Sequence, residues 1–179
     1  FFIAVATGSS MGCSVVISQL FGAKKLRDMK SAIFTAIISL AVLGAVMSAL
    51  GIALAGPLMH LLGCDESVFA NARAYLAIYS AGVLPMFVYN TANAVFTGLG
   101  DSKRPLYFLI MSSLLNIVLD IIAVGPMKLG VAGAAWATTV SQLVAAVLSA
   151  GILIKKVGSI QTPERAAAFD RRLFADMSR

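Results

Sequence analysis

Two polar residues, Asn116 and Asp120, lie one helical turn apart inside the otherwise apolar stretch 114–125, LLNIVLDIIAVG. Residues four apart in a helix share one face. A carboxylate in hydrocarbon is costly, so Asp120 should face the interior of a helical bundle. Shielding from water favours the protonated form of a carboxylate, which suits a proton carrier. Carboxylate, amide and hydroxyl oxygens also suit a small hard cation such as Na⁺.

Two further polar residues come to similar depths if the neighbouring apolar runs are helices. Thr138 lies eight residues into the next run, and Asp120 lies eight residues before the end of its own, so both are about 12 Å deep. Asn93, in the preceding run, comes out one turn from the level of Asn116. We expect these four residues to form a cation- or proton-binding set. The alternative is a packing network, because Asn and Thr often hydrogen-bond across membrane helices.

The elements that carry these residues are predicted to be transmembrane helices. Of the 179 residues, 59% are hydrophobic and 12% are charged, and the mean hydropathy is +0.90. The charge-free runs, and one run whose only charge is Asp120, are long enough for the roughly 20 residues that a bilayer requires. This predicts an all-α polytopic membrane protein with a bundle over 1–154. Its five spans are expected at about 1–23, 31–56, 74–98, 105–127 and 130–154.

The basic residues predict the orientation of these spans. The successive loops and the tail hold four, one, two, one and six Lys or Arg residues, which is the positive-inside pattern. We therefore expect the loops near 25 and 103 and the tail to be cytoplasmic in a multi-pass cell-membrane protein. Because the charges lie in loops and the tail, the net charge of +6 does not indicate a nucleic-acid partner. The chain opens inside a span without an initiator Met, which we interpret as part of a longer protein.

The segment 155–179 is predicted to be a cytoplasmic linker that contains an amphipathic helix. Thr162 is a plausible N-cap, followed by Pro163 at the first helical position. Apolar residues then recur at helical spacing, at Ala166, Phe169, Leu173 and Met177. The helix could lie at the membrane interface or pack on the bundle. Within the third span, Pro85 removes a backbone donor and should kink the helix, either as a hinge or as a static bend.

Four segments together resemble the multidrug and toxin extrusion (MATE) transporters: SQLFGAKK (18–25), GLGDSKRP (98–105), NIVLD (116–120) and GVAGAAWATTVSQ (130–142). The resemblance covers essentially the whole chain and implies helices two to six of the amino-terminal lobe, followed by the linker to the second lobe. In that family a cation or proton site lies on the helix that Asn116 and Asp120 match, and Thr138 and Asn93 match residues of the neighbouring helices.

The family's site also uses an aspartate on the first helix, which this chain lacks, and a complete transporter needs the carboxy-terminal lobe. The resemblance implies a secondary transporter, not an enzyme. It would export organic, often cationic compounds across the lipid bilayer in exchange for H⁺ or Na⁺, with no cofactor other than the coupling ion.

Three other functions are weighed against this one. A lipid-linked oligosaccharide flippase of the same superfamily usually carries basic residues in its cavity, and no Lys or Arg lies inside these spans. A channel or structural membrane protein would tolerate the loss of Asp120. A GxGD-type intramembrane aspartyl protease matches GLGD at 98–101, but Asp101 and Asp120 would lie about 28 Å apart along the helix axis and could not share a proton.

Overall fold

The computed structural model describes residues 2–160, 167 and 169–177, apart from the side chain at position 67. This part of the chain is helical and contains no strand. The helices in chain order are α1 (Phe2–Gly22), α2 (Leu26–Leu61), α3 (Glu66–Ala81), α4 (Val83–Gly98), α5 (Lys103–Val124), α6 (Gly130–Ser159) and α7 (Arg171–Met177). The prediction of an all-α membrane protein is confirmed.

Four of the described helices, α1, α2, α5 and α6, are long and apolar enough to cross a membrane. The third predicted span, 74–98, differs from the expectation of one continuous helix. It falls in two helices of 16 residues each, α3 and α4, which are separated at Gly82. Pro85 follows three residues later and cannot donate a hydrogen bond to the Ala81 carbonyl, so the helical ladder is weakened at this point.

Helix α4 is the centre of the bundle and packs against α1, α2 and α6. Phe87 and Phe96 on α4 and Ile17 on α1 have no exposed surface. Glycine allows the close approach of α2, because a Cβ at Gly44 would lie 2.8 Å from the Cβ of Phe87. Small residues of this kind let membrane helices pack closely.

The turn between α4 and α5 closes by a Schellman motif at Gly100, whose φ is +76°. The Gly100 N–H donates to the Thr97 carbonyl at 2.9 Å, and the Asp101 N–H donates to the Phe96 carbonyl at 2.8 Å. This loop reaches α6, because Lys156 contacts Asp101. We call this end of the bundle, which also holds the loop 23–25, the basic end.

The tail packs on the bundle between α1 and α2. The Ala167 N–H donates to Ser31 Oγ at 2.9 Å, and the Asp170 N–H donates to Thr35 Oγ1 at 3.0 Å. The described helix α7 begins at Arg171, and Asp170 caps it by accepting the Arg172 N–H at 2.8 Å. The predicted cap at Thr162 and the start at Pro163 lie outside the described residues. Of the two settings expected for this helix, the structure shows packing on the bundle.

Candidate cation site

Asn116 on α5 and Thr138 on α6 meet across the α5–α6 interface. The Asn116 Nδ2 donates to Thr138 Oγ1 at 3.4 Å, and the Thr138 hydroxyl donates to the Ala134 carbonyl at 3.1 Å. The two hydrogen bonds are compatible because a hydroxyl both donates and accepts. Since the amide nitrogen of Asn116 is used in this contact, its Oδ1 is left as an acceptor.

Asp120 lies one turn farther along α5, on the face of Asn116. Its Oδ1 is buried and has no hydrogen-bond partner among the described residues. The Oδ1 of Asn93 on α4 is likewise buried and has no hydrogen-bond partner among the described residues. A buried oxygen without a donor is unfavourable unless a cation, a proton or water satisfies it. Each of these two oxygens is therefore free to accept from a cation, a proton or a water molecule.

The structure joins two of the four predicted residues directly. Asn116 and Thr138 are hydrogen-bonded across the α5–α6 interface, and Asp120 lies one turn from Asn116 on α5, whereas Asn93 is on α4, which has few contacts with α5. Among the described residues, Asn93 Oδ1 has no hydrogen-bond partner, so it is not bonded to the other three. Asn93 lies about 12 Å from Asp101, whereas Asn116 lies about 20 Å from the start of α5, so Asn93 is closer to the basic end.

Asp101, the aspartate of the GLGD segment, forms ion pairs with two basic residues at the basic end. Lys156 Nζ donates to Asp101 Oδ2 at 2.8 Å, and Arg104 Nη1 lies 3.4 Å from the same oxygen. The hydrogen bond from Lys156 is the main cause that lowers the pKa of the Asp101 carboxyl, with its charge and that of Arg104 contributing. Both cations also lie 5.5 Å from the centre of the Phe96 ring. Asp101 is thus part of a structural cluster.

A separate cavity of about 850 Å³ lies between α1, α2 and the tail. Gly8, Gly12 and Ser39 line it together with the apolar residues of α2 and the rings of Phe169 and Phe174. None of the four candidate residues lines this cavity, so it is distinct from the α5–α6 interface.

The sequence interpretation missed Thr139, the neighbour of Thr138 on α6. The Thr139 hydroxyl donates to the Ile78 carbonyl on α3 at 3.2 Å, which crosses between helices just before the α3–α4 break. The adjacent threonines were a usable signal, because neighbouring residues on a helix point about 100° apart and therefore reach different helices.

Comparisons with known proteins show which family this arrangement of helices belongs to. The sequence profile described as MatE matches residues 1–122. The chain belongs to the MatE family. Membership confirms the expectation of a multi-pass membrane transport protein and not an enzyme, which removes the intramembrane protease as an alternative.

Individual relatives cover more of the chain. The chain is 36% identical over 130 residues to the probable multidrug resistance protein YpnP of Bacillus subtilis, an alignment that covers 73% of this chain and 29% of that protein. It is 30% identical over 179 residues to the FAD transporter of Shewanella oneidensis, covering 98% and 39%. An outward-facing multidrug resistance MATE family transporter superposes with a TM-score of 0.89 at 26% identity, covering 98% and 39%. The chain therefore spans well under half of the length of these relatives.

Proposed function

We propose that this chain forms part of the amino-terminal lobe of a secondary antiporter, in which it binds the coupling ion. The transporter would export organic, often cationic compounds in exchange for H⁺ or Na⁺. The observation that carries the proposal is the buried Oδ1 of Asp120, which has no partner among the described residues and lies one turn from the Asn116–Thr138 hydrogen bond. Membership of the MatE family supports the transport function.

In this function Asp120 is the residue that carries or loses the charge. The ionised carboxylate would hold Na⁺ or take up a proton, and either event satisfies its orphaned oxygen. The Asn116–Thr138 bond holds α5 against α6 and leaves the Asn116 Oδ1 to act beside the carboxylate. Asn93 would contribute from α4, since its own Oδ1 is also unpaired among the described residues.

The proposed orientation places the basic end in the cytoplasm, because loops rich in Lys and Arg are retained on that side. The loop after α1 and the first turns of α2 and α5 carry six of these residues between them, Lys24, Lys25, Arg27, Lys30, Lys103 and Arg104. Asp120 then lies in the outer half of the membrane. A transporter of this kind alternates between states that open to either side, so the site would release its ion when the opposite opening forms.

Two other cargo classes are retained as alternatives. The relative named FAD transporter aligns with 98% of this chain, which favours an anionic flavin nucleotide as the second candidate. A lipid-linked oligosaccharide would also be anionic. The absence of Lys and Arg from the apolar runs supports a cationic compound over both, because an anion bound within the membrane needs a basic partner.

The test is an export assay with the full-length protein in proteoliposomes under an imposed pH or Na⁺ gradient. We expect a fluorescent organic cation to be exported by the native protein and Asp120→Asn to reduce export to background. The matched control is Asp28→Asn, which removes a charge from an exposed carboxylate near the start of α2. Equal export by native protein and Asp120→Asn would refute the role of Asp120. Export of FAD but not of the cation would establish the second cargo class.

A further inference from the structure

The break between α3 and α4 at Gly82, which we call the kink because Pro85 is expected to bend the chain there, has contacts on two sides. On one side, the Thr139 hydroxyl of α6 donates to the Ile78 carbonyl at 3.2 Å. On the other side, Ser80 presses against α2, where a Cβ at Gly51 would lie 2.5 Å from Ser80 Oγ. The kink is therefore set by the helices that flank it as well as by its own sequence.

The backbone at the kink has weakened hydrogen bonds of its own. The Gly82 N–H is shared between the Ile78 carbonyl at 3.3 Å and the Tyr79 carbonyl at 3.0 Å. The Thr139 hydroxyl supplies a second donor to the Ile78 carbonyl, where the regular ladder is weakened. The contact is close because Gly82 has no side chain, and a Cβ there would lie 3.0 Å from Thr139 Oγ1. Interhelical hydrogen bonds of this kind can re-satisfy backbone groups at a break.

Helix α6 links this kink to the candidate cation site. Thr138 receives the hydrogen bond from Asn116 on α5, and the next residue, Thr139, donates to α3. The two hydroxyls lie about 100° apart on one turn of α6 and contact different neighbouring helices, α5 and α3. A movement of α6 at this turn therefore acts on both contacts, and Asn93 lies about 16 Å beyond Gly82 along α4.

We propose that Thr139 is a positioning residue that fixes the α3–α4 kink against the helix bearing the candidate cation site. The proposal rests on the proposed function for its transport consequence. A change of about 20° in the kink would move Asn93 by about 5 Å relative to α6. It would move the outer end of α3 by about 8 Å, because Glu66 lies about 24 Å from Gly82 along the helix. Thr139 thereby sets where the polar residue of α4 lies relative to Asn116 and Asp120.

The first measurement is structural and needs no transport. Spin labels at Val68 on α3 and Val131 on α6, both exposed, report the swing of α3 in the full-length protein in nanodiscs. The native Cys13 and Cys64 are replaced beforehand. In Thr139→Val, which keeps the shape and loses the hydroxyl, we expect the most probable distance to shift by about 5 Å. Thr139→Ser should restore the native distance.

The matched control is Thr91→Val, because Thr91 is also buried but its hydroxyl donates within its own helix, to the Phe87 carbonyl at 2.7 Å. This variant should retain the native distance. If Thr139→Val does not accumulate as folded protein, Gly82→Ala is used instead, since its Cβ would lie 3.0 Å from Thr139 Oγ1 and 3.2 Å from the Tyr79 carbonyl oxygen and would therefore crowd the contact between Thr139 and Ile78. A native distance in Thr139→Val, or in Gly82→Ala where that variant is needed, would overturn the proposal.

The second measurement is the concentration of coupling ion at half-maximal export. We expect Thr139→Val to raise it about threefold, which is the effect of a typical interhelical hydrogen bond in a membrane. Thr139→Ser and Thr91→Val should match the native protein. If Asp120→Asn exports normally, the proposed function fails and the distance measurement alone tests Thr139. If Asp120→Asn abolishes export while the distance stays native in Thr139→Val, only the positioning role is wrong.

Discussion

Helices α4 and α5 carry three of the four candidate residues, Asn93, Asn116 and Asp120, but the surroundings of the two helices are very different. Helix α4 has nine buried residues and packs among α1, α2 and α6. Helix α5 has two, Phe108 and Ala123, and packs mainly on α6. The polar groups follow the same division, because Thr91 and Asn90 on α4 bond to carbonyls of their own helix, whereas Asn116 on α5 reaches across to α6.

This difference separates the helix that stabilises the bundle from the helix that carries the candidate ion-binding carboxylate. Helix α4 is stabilised by packing that would persist without its polar side chains. Helix α5 exposes large apolar residues such as Ile117 and Ile121, which lipid can solvate at no cost. Its fixed points are the α6 interface and its start at the basic end. We infer that α4 carries most of the packing stability of the bundle, while α5 carries the carboxylate whose Oδ1 has no partner among the described residues.

The largest expected effect tests this contrast directly. Phe87→Ala on α4 should lower the free energy of unfolding by about 3–5 kcal/mol, because Phe87 is fully buried against Gly44 and its removal leaves a cavity. Ile117→Ala on α5, where the residue is 54% exposed, should change it by no more than about 0.5 kcal/mol. Thermal unfolding of the purified protein in detergent measures both. Similar losses in the two variants would contradict the division between α4 and α5.

The next effect concerns the close approach of α2 to α4. Gly44→Ala should destabilise the protein by about 1–3 kcal/mol, because the new Cβ would lie 2.8 Å from Phe87 Cβ. Gly151→Ala on α6 is the control, since a Cβ there meets nothing within 4 Å in the described structure. The same unfolding assay is used. A neutral Gly44→Ala would show that the core around α4 can relax.

A smaller effect is expected at the basic end, where Asp101 ties α5 to α6. Asp101→Asn should cost about 0.5–1 kcal/mol near neutral pH, typical of a partly exposed ion pair. The lowered pKa of Asp101 means that its contribution is complete above the ordinary aspartate value of about 4 and is lost as the pH falls through the lowered value. The stability difference between native protein and Asp101→Asn should therefore vanish on acidification.

The contribution of Lys156 to this ion pair can be tested against the neighbouring Lys155. Lys156→Met should couple to Asp101→Asn in a double-mutant cycle, whereas Lys155→Met, at an exposed neighbouring position, should be additive. Equal coupling for both lysines would mean that the basic end acts through its overall charge and not through the 2.8 Å contact.

The smallest effect is expected at the α5–α6 contact itself. Asn116→Ala and Thr138→Val should show a coupling of about 0.6 kcal/mol in a double-mutant cycle, since the bond between them is long at 3.4 Å. Ser112→Ala combined with Thr138→Val should be additive, because the Ser112 hydroxyl bonds within α5. Additive behaviour of Asn116 and Thr138 would remove this contact as a fixed point of α5.

The sequence predicted much of the candidate site because depth along a helix can be counted. Asp120, Asn116 and Thr138 were placed from a rise of about 1.5 Å per residue, and Asn116 and Thr138 do meet. The position of Asn93 was less well predicted, because the level of a residue does not say which neighbour its helix contacts. Thr139 was missed for the same reason, since its partner is a backbone carbonyl on a helix that precedes it by about 60 residues.

The sequence by itself determined the class of protein, the approximate helices and the single Asp, Glu, Lys or Arg residue well inside an apolar run, Asp120. These follow from hydrophobicity and helical geometry, which are local properties of about 20 residues. Only the tertiary structure decided which hydroxyl meets which helix, that the Asp120 Oδ1 has no partner among the described residues, and that the tail packs on Ser31 and Thr35. In a membrane, lipid is as apolar as the side chains, so hydrophobicity cannot select helix partners. Close packing at Gly44 and Gly51 and a few hydrogen bonds between distant residues select them instead.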